Sequence, residues 1–286
     1  MPSWLAGQET GGTAPARRVV SLSVAVFAAL LGFGLVVGAN TQPASYALVI
    51  FGAQGLFVLS WTVATRPPGV KVVSAVGLLA AAGADLGAAS TQHPSLTPLG
   101  LVTAAALGAG VVGQLLRGAG RSRVTESLSA TVLVVIGVVC LASLIVLSRH
   151  LAGTQSIEAC LLAAGVAVVV ARLTDVLLPA PRTSPQVARG WIGVVLGAMA
   201  GTVAAGFAGS YLVGLEPRPT VIAGFVTAMC AIMADLAVSY VQASRELEGE
   251  PSALWVARHM QGPLAGFALA APAVYVLSVL ILVRGL

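Results

Sequence analysis

The sequence predicts an all-α protein that crosses a membrane about nine times, with a cytoplasmic N-terminus and an outside C-terminus. Three observations predict this class. Hydrophobic residues make up 57% of the 286 residues and charged residues only 9%, whereas a soluble domain carries about 25% charged residues. Nine apolar runs are each long enough to cross the hydrocarbon of a bilayer, which takes about 20 residues. Basic residues are unevenly divided between the segments that join these runs.

The spans are expected at residues 19–39, 46–64, 70–89, 98–116, 124–148, 157–180, 190–214, 219–243 and 263–284. Turn-forming stretches such as TRPPG and LEPRPT separate them. The first run exceeds the roughly 7–15 apolar residues of a signal peptide, which favours a retained helix. No internal repeat is recognisable in the sequence, so an inverted-repeat transporter gains no support.

The basic residues predict the orientation and the membrane. With the N-terminus inside, eleven arginines and lysines fall in inner segments and three in outer ones, as the positive-inside rule requires. The net charge of +5 then reflects orientation and contact with anionic headgroups, and no nucleic-acid partner is expected. We therefore expect a multi-pass protein of the cell's inner (plasma) membrane.

The chain divides into a cytoplasmic tail (1–18), an N-terminal transmembrane half with helices 1–5 (19–155), and a C-terminal transmembrane half with helices 6–9 (156–286). Two long inner connections lie in the C-terminal half. The second of them is expected to contain a short interfacial helix, with Leu254 and Trp255 at the level of the headgroups.

Acidic residues inside the apolar runs are the strongest functional signal. An ionised aspartate in the middle of a bilayer costs roughly 2.5–3.5 kcal/mol, yet Asp175 and Asp235 lie in helices six and eight and Asp85 in helix three. Arg172 and Asp175 share a helix face, which favours an internal ion pair. Asp235 has no such neighbour, so it must find a partner on another helix, in a polar cavity or in a cation.

Short motifs between residues 165 and 278 occur in a recognisable order. After the helix that carries Asp175, residues 184–190 read SPQVARG and a glycine-rich helix, WIGVVLGAMAG, follows. Helix eight contains ADLAVS at 234–239, and helix nine contains AAPAVY at 270–275. In order and spacing these segments resemble the C-terminal half of bacterial phosphatidate cytidylyltransferases, which make CDP-diacylglycerol. The resemblance implies nine spans with both long loops inside, and it implies a metal-binding role for Asp235.

The departures from that family are equally informative. The second carboxylate of the family's helix corresponds to Val238, its Lys-Arg pair falls on Gln242 and Ala243, and Lys71 is the only lysine of the whole chain. Joining CTP to phosphatidate brings phosphate groups together, which requires a divalent metal and fixed cations. We therefore predict a diverged member with a degenerate catalytic site, a pseudoenzyme without a resident cofactor. It would bind lipid or a membrane partner at the inner leaflet.

Two alternatives stay open. The chain is an active CTP-dependent cytidylyltransferase that uses Mg²⁺ to make CDP-diacylglycerol or a related activated lipid, or it is a transporter or flippase whose intramembrane aspartates relay protons or bind a cation. In every case Asp175 and Asp235 are expected to line an inner polar cavity. Contacts to a phosphate or headgroup are expected from Arg172, Arg182, Ser184, Arg189, Ser239, Arg245 and Arg258. The expected partners are membrane lipids, anionic phospholipid in particular, and a second copy or another membrane protein.

Overall fold

A computed structural model describes residues 14–118, 122–178, 180–184, 187–249 and 254–282. Within these ranges nine helices are long and apolar enough to cross a membrane, which confirms the predicted fold class. The first five are α1 (Ala14–Ala39), α2 (Pro43–Thr65), α3 (Val70–Ser90), α4 (Thr97–Leu116) and α5 (Val124–Ser148). The other four are α6 (Gly153–Leu177), α7 (Trp191–Tyr211), α8 (Pro217–Leu247) and α9 (Trp255–Leu277).

A short antiparallel hairpin joins α6 to α7. Its strands are β1 (Arg182–Ser184) and β2 (Val187–Gly190), with Arg182 opposite Gly190 and Ser184 opposite Val187. A π-helical turn, Ser278–Leu282, continues α9. Most of the predicted cytoplasmic tail, residues 1–13, lies outside the described residues, and α1 begins at Ala14. The orientation of the chain across the membrane stays a prediction.

Helix α9 differs most from its predicted bounds. It begins at Trp255, eight residues before the expected start at residue 263. The prediction of a separate interfacial helix before the last span was therefore wrong. Pro263 and Pro272 both lie inside α9, and a membrane helix tolerates proline because neighbouring helices satisfy the freed backbone groups. Helix α8 has 31 residues and is about 46 Å long, so it is longer than the roughly 30 Å hydrocarbon core.

Helices α5 and α6 are the two centres of packing. Helix α5 contacts α2, α3, α4 and α9, and α6 contacts α1, α7, α8 and α9. Although α1 comes first in the chain, it packs chiefly against α6 and α9 and less against α2. The C-terminal helices are therefore flanked by the first helix of the chain, and α9 contacts both groups.

Helices α6 and α7 approach each other through small residues. A Cβ added at Gly197 would lie 2.5 Å from the Ala167 carbonyl oxygen, and one added at Gly201 would lie 2.5 Å from that of Ala163. Glycines spaced by four let helix backbones come this close in a membrane. Gly193 continues the row toward the C-terminal end of α6. The start of α7 and the hairpin are thereby held against the turn of α6 that carries Asp175.

Candidate functional site

Two arginines and two aspartates meet where α6, α8 and the hairpin converge. We name Arg172, Asp175, Arg189 and Asp235 the charged cluster. Asp235 is 0% exposed, Arg189 1%, and Arg172 and Asp175 8% each. Buried charges are stable only when they are paired and hydrogen-bonded, and the cluster balances two positive against two negative charges.

Asp235 is bound on both of its oxygens. The Nε of Arg172 donates to Oδ2 over 2.9 Å, and the Nη2 of Arg172 donates to Oδ1. The Nη2 of Arg189 lies 2.9 Å from the same Oδ2. This second contact has the distance of an ion pair but not the alignment of a hydrogen bond, because the same Nη2 is without a hydrogen-bond partner among the described residues. Arg172 is therefore the principal partner, and Arg189 adds charge compensation.

Asp175 is held from the hairpin side. Arg189 donates from Nη1 to Oδ2 over 2.8 Å, and the backbone N–H of Gly190 donates to Oδ1 over 2.9 Å. One guanidinium thus stands between the two aspartates and contacts both. Burial lowers the pKa of Arg189, and the charge of Arg172 lowers it further, whereas Asp235 and Asp175 oppose that shift.

The hairpin is what delivers Arg189 to this position. The Thr183 hydroxyl donates to the Arg189 carbonyl over 3.1 Å, and the Trp191 N–H donates to the Pro181 carbonyl over 3.1 Å. These bonds turn the chain back over the end of α6, so that the last two residues of β2 reach Asp175. The hairpin therefore covers the cluster on the side of the C-terminal end of α6.

Glycines provide the space that the carboxylates occupy. A Cβ at Gly193 would lie 2.6 Å from Oδ1 of Asp175, and a Cβ at Gly262 on α9 would collide with Oδ1 of Asp235. Gly266, one turn further along α9, packs against Ala231 of α8 in the same way. Gly262 was not among the residues expected from the sequence, although its four-residue spacing from Gly266 is a signal for close helix packing.

The expected pairing within α6 was wrong. The sequence favoured an ion pair between Arg172 and Asp175, but Arg172 binds Asp235 of α8, and Asp175 binds Arg189 and Gly190. The reason is that the two side chains point in different directions from α6. Arg172 points toward α8, and Asp175 points toward the start of α7. The expectation that Asp235 finds a partner on another helix is met by Arg172.

The remaining predicted contact residues differ in their partners and in their exposure. The Ser239 hydroxyl donates to the Asp235 carbonyl over 2.9 Å and accepts from Nη2 of Arg172 over 3.4 Å. Arg258 pairs with Glu246 over 2.5 Å at the junction of α8 and α9. Arg182 is exposed, and Ser184 and Arg245 are half-buried. These residues stay predicted headgroup contacts.

Gln242 joins the C-terminal end of α8 to the N-terminal end of α9. Its Nε2 donates to the Arg258 carbonyl over 2.9 Å and to Oε1 of Gln261 over 3.0 Å. In the resemblance, Gln242 is only the residue that replaces a lysine of the family. In the structure it joins the two helices that enclose Asp235.

The residues around Asp235 do not match the Mg²⁺ site that the resemblance implies. A metal of this kind needs several oxygen ligands without competing cations, whereas both oxygens of Asp235 are taken by guanidinium groups. Across the part of the chain that the structure describes, no group of three or more His, Cys, Asp or Glu side chains converges. A metal role for Asp235 stays a prediction of the resemblance.

A lateral groove lies between α1 and α6. It has a volume of about 380 Å³. Its apolar lining includes Ala29, Phe33, Val36, Leu162, Val166 and Val169. Gly32 and Gly165 form its floor where Phe267 of α9 reaches them. Val169 is three residues, or about 4.5 Å along the helix axis, from Arg172, so the groove ends close to the charged cluster.

No protein-family model matches the chain, and a search of curated proteins finds no match. The class therefore follows from the fold. The nine apolar helices found among the described residues define a multi-pass helical membrane protein, and a buried, charge-balanced cluster joins α6, α8 and the hairpin. The likeness to phosphatidate cytidylyltransferases stays a resemblance of short motifs.

Proposed function

We propose that the protein is a non-catalytic membrane protein that binds an anionic phospholipid of the inner leaflet. The acyl chain occupies the α1–α6 groove, and the phosphate lies among the basic residues at its inner end. The observation that carries the non-catalytic part is the closure of Asp235 and Asp175 by Arg172 and Arg189. This proposal rests on the cell's plasma membrane as the location and on a cytoplasmic inner end.

The state of the two aspartates supports a binding role over nucleotidyl transfer. Both carboxylates are engaged by guanidinium groups of the chain itself. Val238, one turn from Asp235 on α8, is buried and apolar where the resembling enzymes carry a second carboxylate. A cluster that is already neutral has no spare negative charge to attract a cation, so it serves as a fixed support for the helices around the groove.

The groove and the basic residues of the hairpin and of the α8–α9 junction support a lipid as the ligand. The lining is aliphatic or aromatic and opens sideways from helices that cross the membrane, where the surrounding medium is acyl chain. Arg182, Arg245 and Arg258 belong to the hairpin and to the α8–α9 junction, which the predicted topology places at the cytoplasmic surface. Basic residues at that surface attract anionic headgroups by about 1 kcal/mol each.

Lipid retention tests this proposal. The protein is purified in mild detergent from membranes that contain phosphatidate, phosphatidylglycerol and phosphatidylcholine, and the retained lipids are counted by native mass spectrometry. Ala29 is an exposed residue of the groove, so Ala29→Phe fills the groove from the lipid side. We expect this variant to lose about 90% of the retained anionic lipid, a change of about 1.4 kcal/mol.

Ala105→Phe is the matched control, because Ala105 is an exposed alanine of α4 away from the groove. It should retain as much lipid as the unchanged protein. Equal retention of phosphatidylcholine and anionic lipid, or unchanged retention in Ala29→Phe, contradicts the proposed ligand.

A second assay separates binding from catalysis. Reconstituted protein is incubated with CTP, Mg²⁺ and phosphatidate, and CDP-diacylglycerol is measured by mass spectrometry. We expect no product above the level of protein-free vesicles. Clear production that Asp235→Asn abolishes would establish the active enzyme instead.

A further inference from the structure

Asp85 and Gln54 form a second buried polar site in the other half of the molecule. Gln54 of α2 is 0% exposed and Asp85 of α3 is 6% exposed. The Nε2 of Gln54 donates to Oδ1 of Asp85 over 2.8 Å and to the Val138 carbonyl of α5 over 2.9 Å. One side-chain amide therefore joins three helices that belong to the N-terminal half.

Two oxygen atoms at this site have no donor. Oδ2 of Asp85 and Oε1 of Gln54 are both buried and without a hydrogen-bond partner among the residues that are described. The amide cannot be turned to relieve this, because the Val138 carbonyl only accepts and must face the NH₂ group. Both hydrogens of that NH₂ are already used. A buried polar atom without a partner costs about 1–3 kcal/mol, and an ionised carboxylate in this position costs more.

A single proton gives both of these oxygen atoms a hydrogen-bond partner. A proton on Oδ2 turns it into an O–H donor, and the unused acceptor of the facing group is Oε1 of the same amide. A carboxylic acid and a primary amide are complementary at two points: the acid carbonyl accepts the amide N–H, and the acid O–H donates to the amide oxygen. The pair is then neutral and fully hydrogen-bonded, with the second N–H left for Val138.

Among the charged groups that the structure describes around α3, none pairs with Asp85. The titratable side chains on the helices packed against it are Tyr46 of α2 and Glu126 and Cys140 of α5. Glu126 is 12 residues, or about 18 Å along α5, from Val138. Arg149, which follows α5, donates to the carbonyls of Ala88 and Thr91 at the end of α3. Among described residues Asp85 forms no ion pair, unlike Asp175 and Asp235.

The site is enclosed by small apolar residues. Ala81, Ala84 and Ala88, which lie beside Asp85 on α3, are all 0% exposed. We propose that Asp85 is a proton-binding site of the folded protein: its carboxyl group is held in the neutral acid form by a two-point pair with Gln54. The aspartates inside the helices are therefore stabilised in two different ways. Asp175 and Asp235 pair with arginines in the charged cluster, and Asp85 is protonated.

The whole chain contains only three aspartates, Asp85, Asp175 and Asp235, which allows a sharp test. The protein is made with aspartate labelled with ¹³C at the side-chain carboxyl, reconstituted in lipid nanodiscs and measured by infrared and NMR spectroscopy at about pH 7, where an ordinary aspartate is ionised. We expect one of the three labelled carboxyls to give the signal of a neutral acid, with a shift of its infrared band in D₂O. Three ionised carboxylates would overturn the proposal.

Variants assign the signal. Asp85→Asn removes the neutral-acid signal while it preserves the two-point pairing with the amide, so it should fold with unchanged thermal stability. Glu126→Gln, which removes an arginine-paired carboxylate of the same half, should leave the signal in place. A neutral-acid signal that persists in Asp85→Asn would overturn the assignment. The measurement on the unchanged protein decides the protonation state even if Asp85→Asn does not fold.

Discussion

Arg172 of α6 and Asp235 of α8 form a two-point ion pair between residues that are 63 positions apart in the chain. Both oxygens of a fully buried carboxylate are bound by one guanidinium, and the second arginine of the cluster contacts one of them. This pair connects α6 to α8, and it explains how an aspartate is accommodated in an apolar helix.

The first prediction concerns removal of one partner from this pair. Asp235→Asn leaves two buried arginines against one carboxylate, and removal of one member of a buried pair costs about 3–5 kcal/mol. We expect a loss of this order in the free energy of unfolding, measured by denaturation in mixed micelles. Glu126→Gln is the control, because its partner Arg123 is 63% exposed and such a pair contributes at most about 1 kcal/mol.

A double variant separates charge balance from packing. Arg172→Met alone leaves a buried carboxylate short of its main partner, whereas Arg172→Met combined with Asp235→Asn leaves the neutral pair of Arg189 and Asp175. The double variant should therefore be more stable than either single variant. Additive losses would show that the charges in the cluster act independently.

The second prediction concerns the space beside Asp235. Gly262→Ala places a methyl group on the carboxylate, so α9 must move away from α8, and we expect a loss of about 1–3 kcal/mol, as for other overpacked sites. Gly52→Ala is the matched control, because a Cβ there meets no described atom within 4 Å. It should be neutral or stabilising by up to about 1 kcal/mol, since alanine favours a helix over glycine. Equal effects of the two changes would contradict the close contact.

The third prediction concerns the bridging arginine. Arg189 contacts Asp175 through Nη1 and Asp235 through Nη2, and a lysine has one nitrogen that cannot serve two carboxylates in this geometry. Arg189→Lys should therefore lower the free energy of unfolding by about 1–3 kcal/mol. Arg182→Lys, at an exposed position of the same hairpin, should change it by less than about 0.5 kcal/mol. A tolerated Arg189→Lys would show that charge alone is sufficient.

The fourth prediction concerns orientation. Leu151 follows α5 and is 76% exposed, and Leu247 ends α8 and is 71% exposed. After Cys140, Cys160 and Cys230 are replaced by alanine, a membrane-impermeant maleimide should label Leu151→Cys in intact cells. It should label Leu247→Cys only after permeabilisation. The reverse pattern would mean that the excess of basic residues does not set the topology.

How far the sequence predicts this structure differs between helices and contacts. The nine spans were predictable because each is a long apolar run between turn-forming residues. The meeting of Asp175 and Asp235 was expected from their similar depth before the inner loops. The depth of a residue in the membrane follows from its position along a helix, so counting residues predicts it well.

The partners of those aspartates were not predictable, because they depend on which way each helix faces. Arg172 has a neighbour three residues away, and counting along one helix favoured that neighbour. The partners of Arg172 and Asp175 depend on how α6 is rotated relative to α8 and on the hairpin that carries Arg189. The spacing of Gly193, Gly197 and Gly201 was a usable signal for the α6–α7 contact, and it would have indicated that Asp175 faces the start of α7.

The long separation between Arg172 and Asp235 has a consequence for biosynthesis. The chain is made from its N-terminus, so α6 enters the membrane before α8 and Asp235 have been synthesised. During that interval the carboxylate nearest to Arg172 on its own helix is Asp175, three residues ahead, at a spacing that permits an ion pair. The pair with Asp235 cannot form until 63 further residues have been made. Arg172 is therefore without its final partner while α7 and the first half of α8 are synthesised.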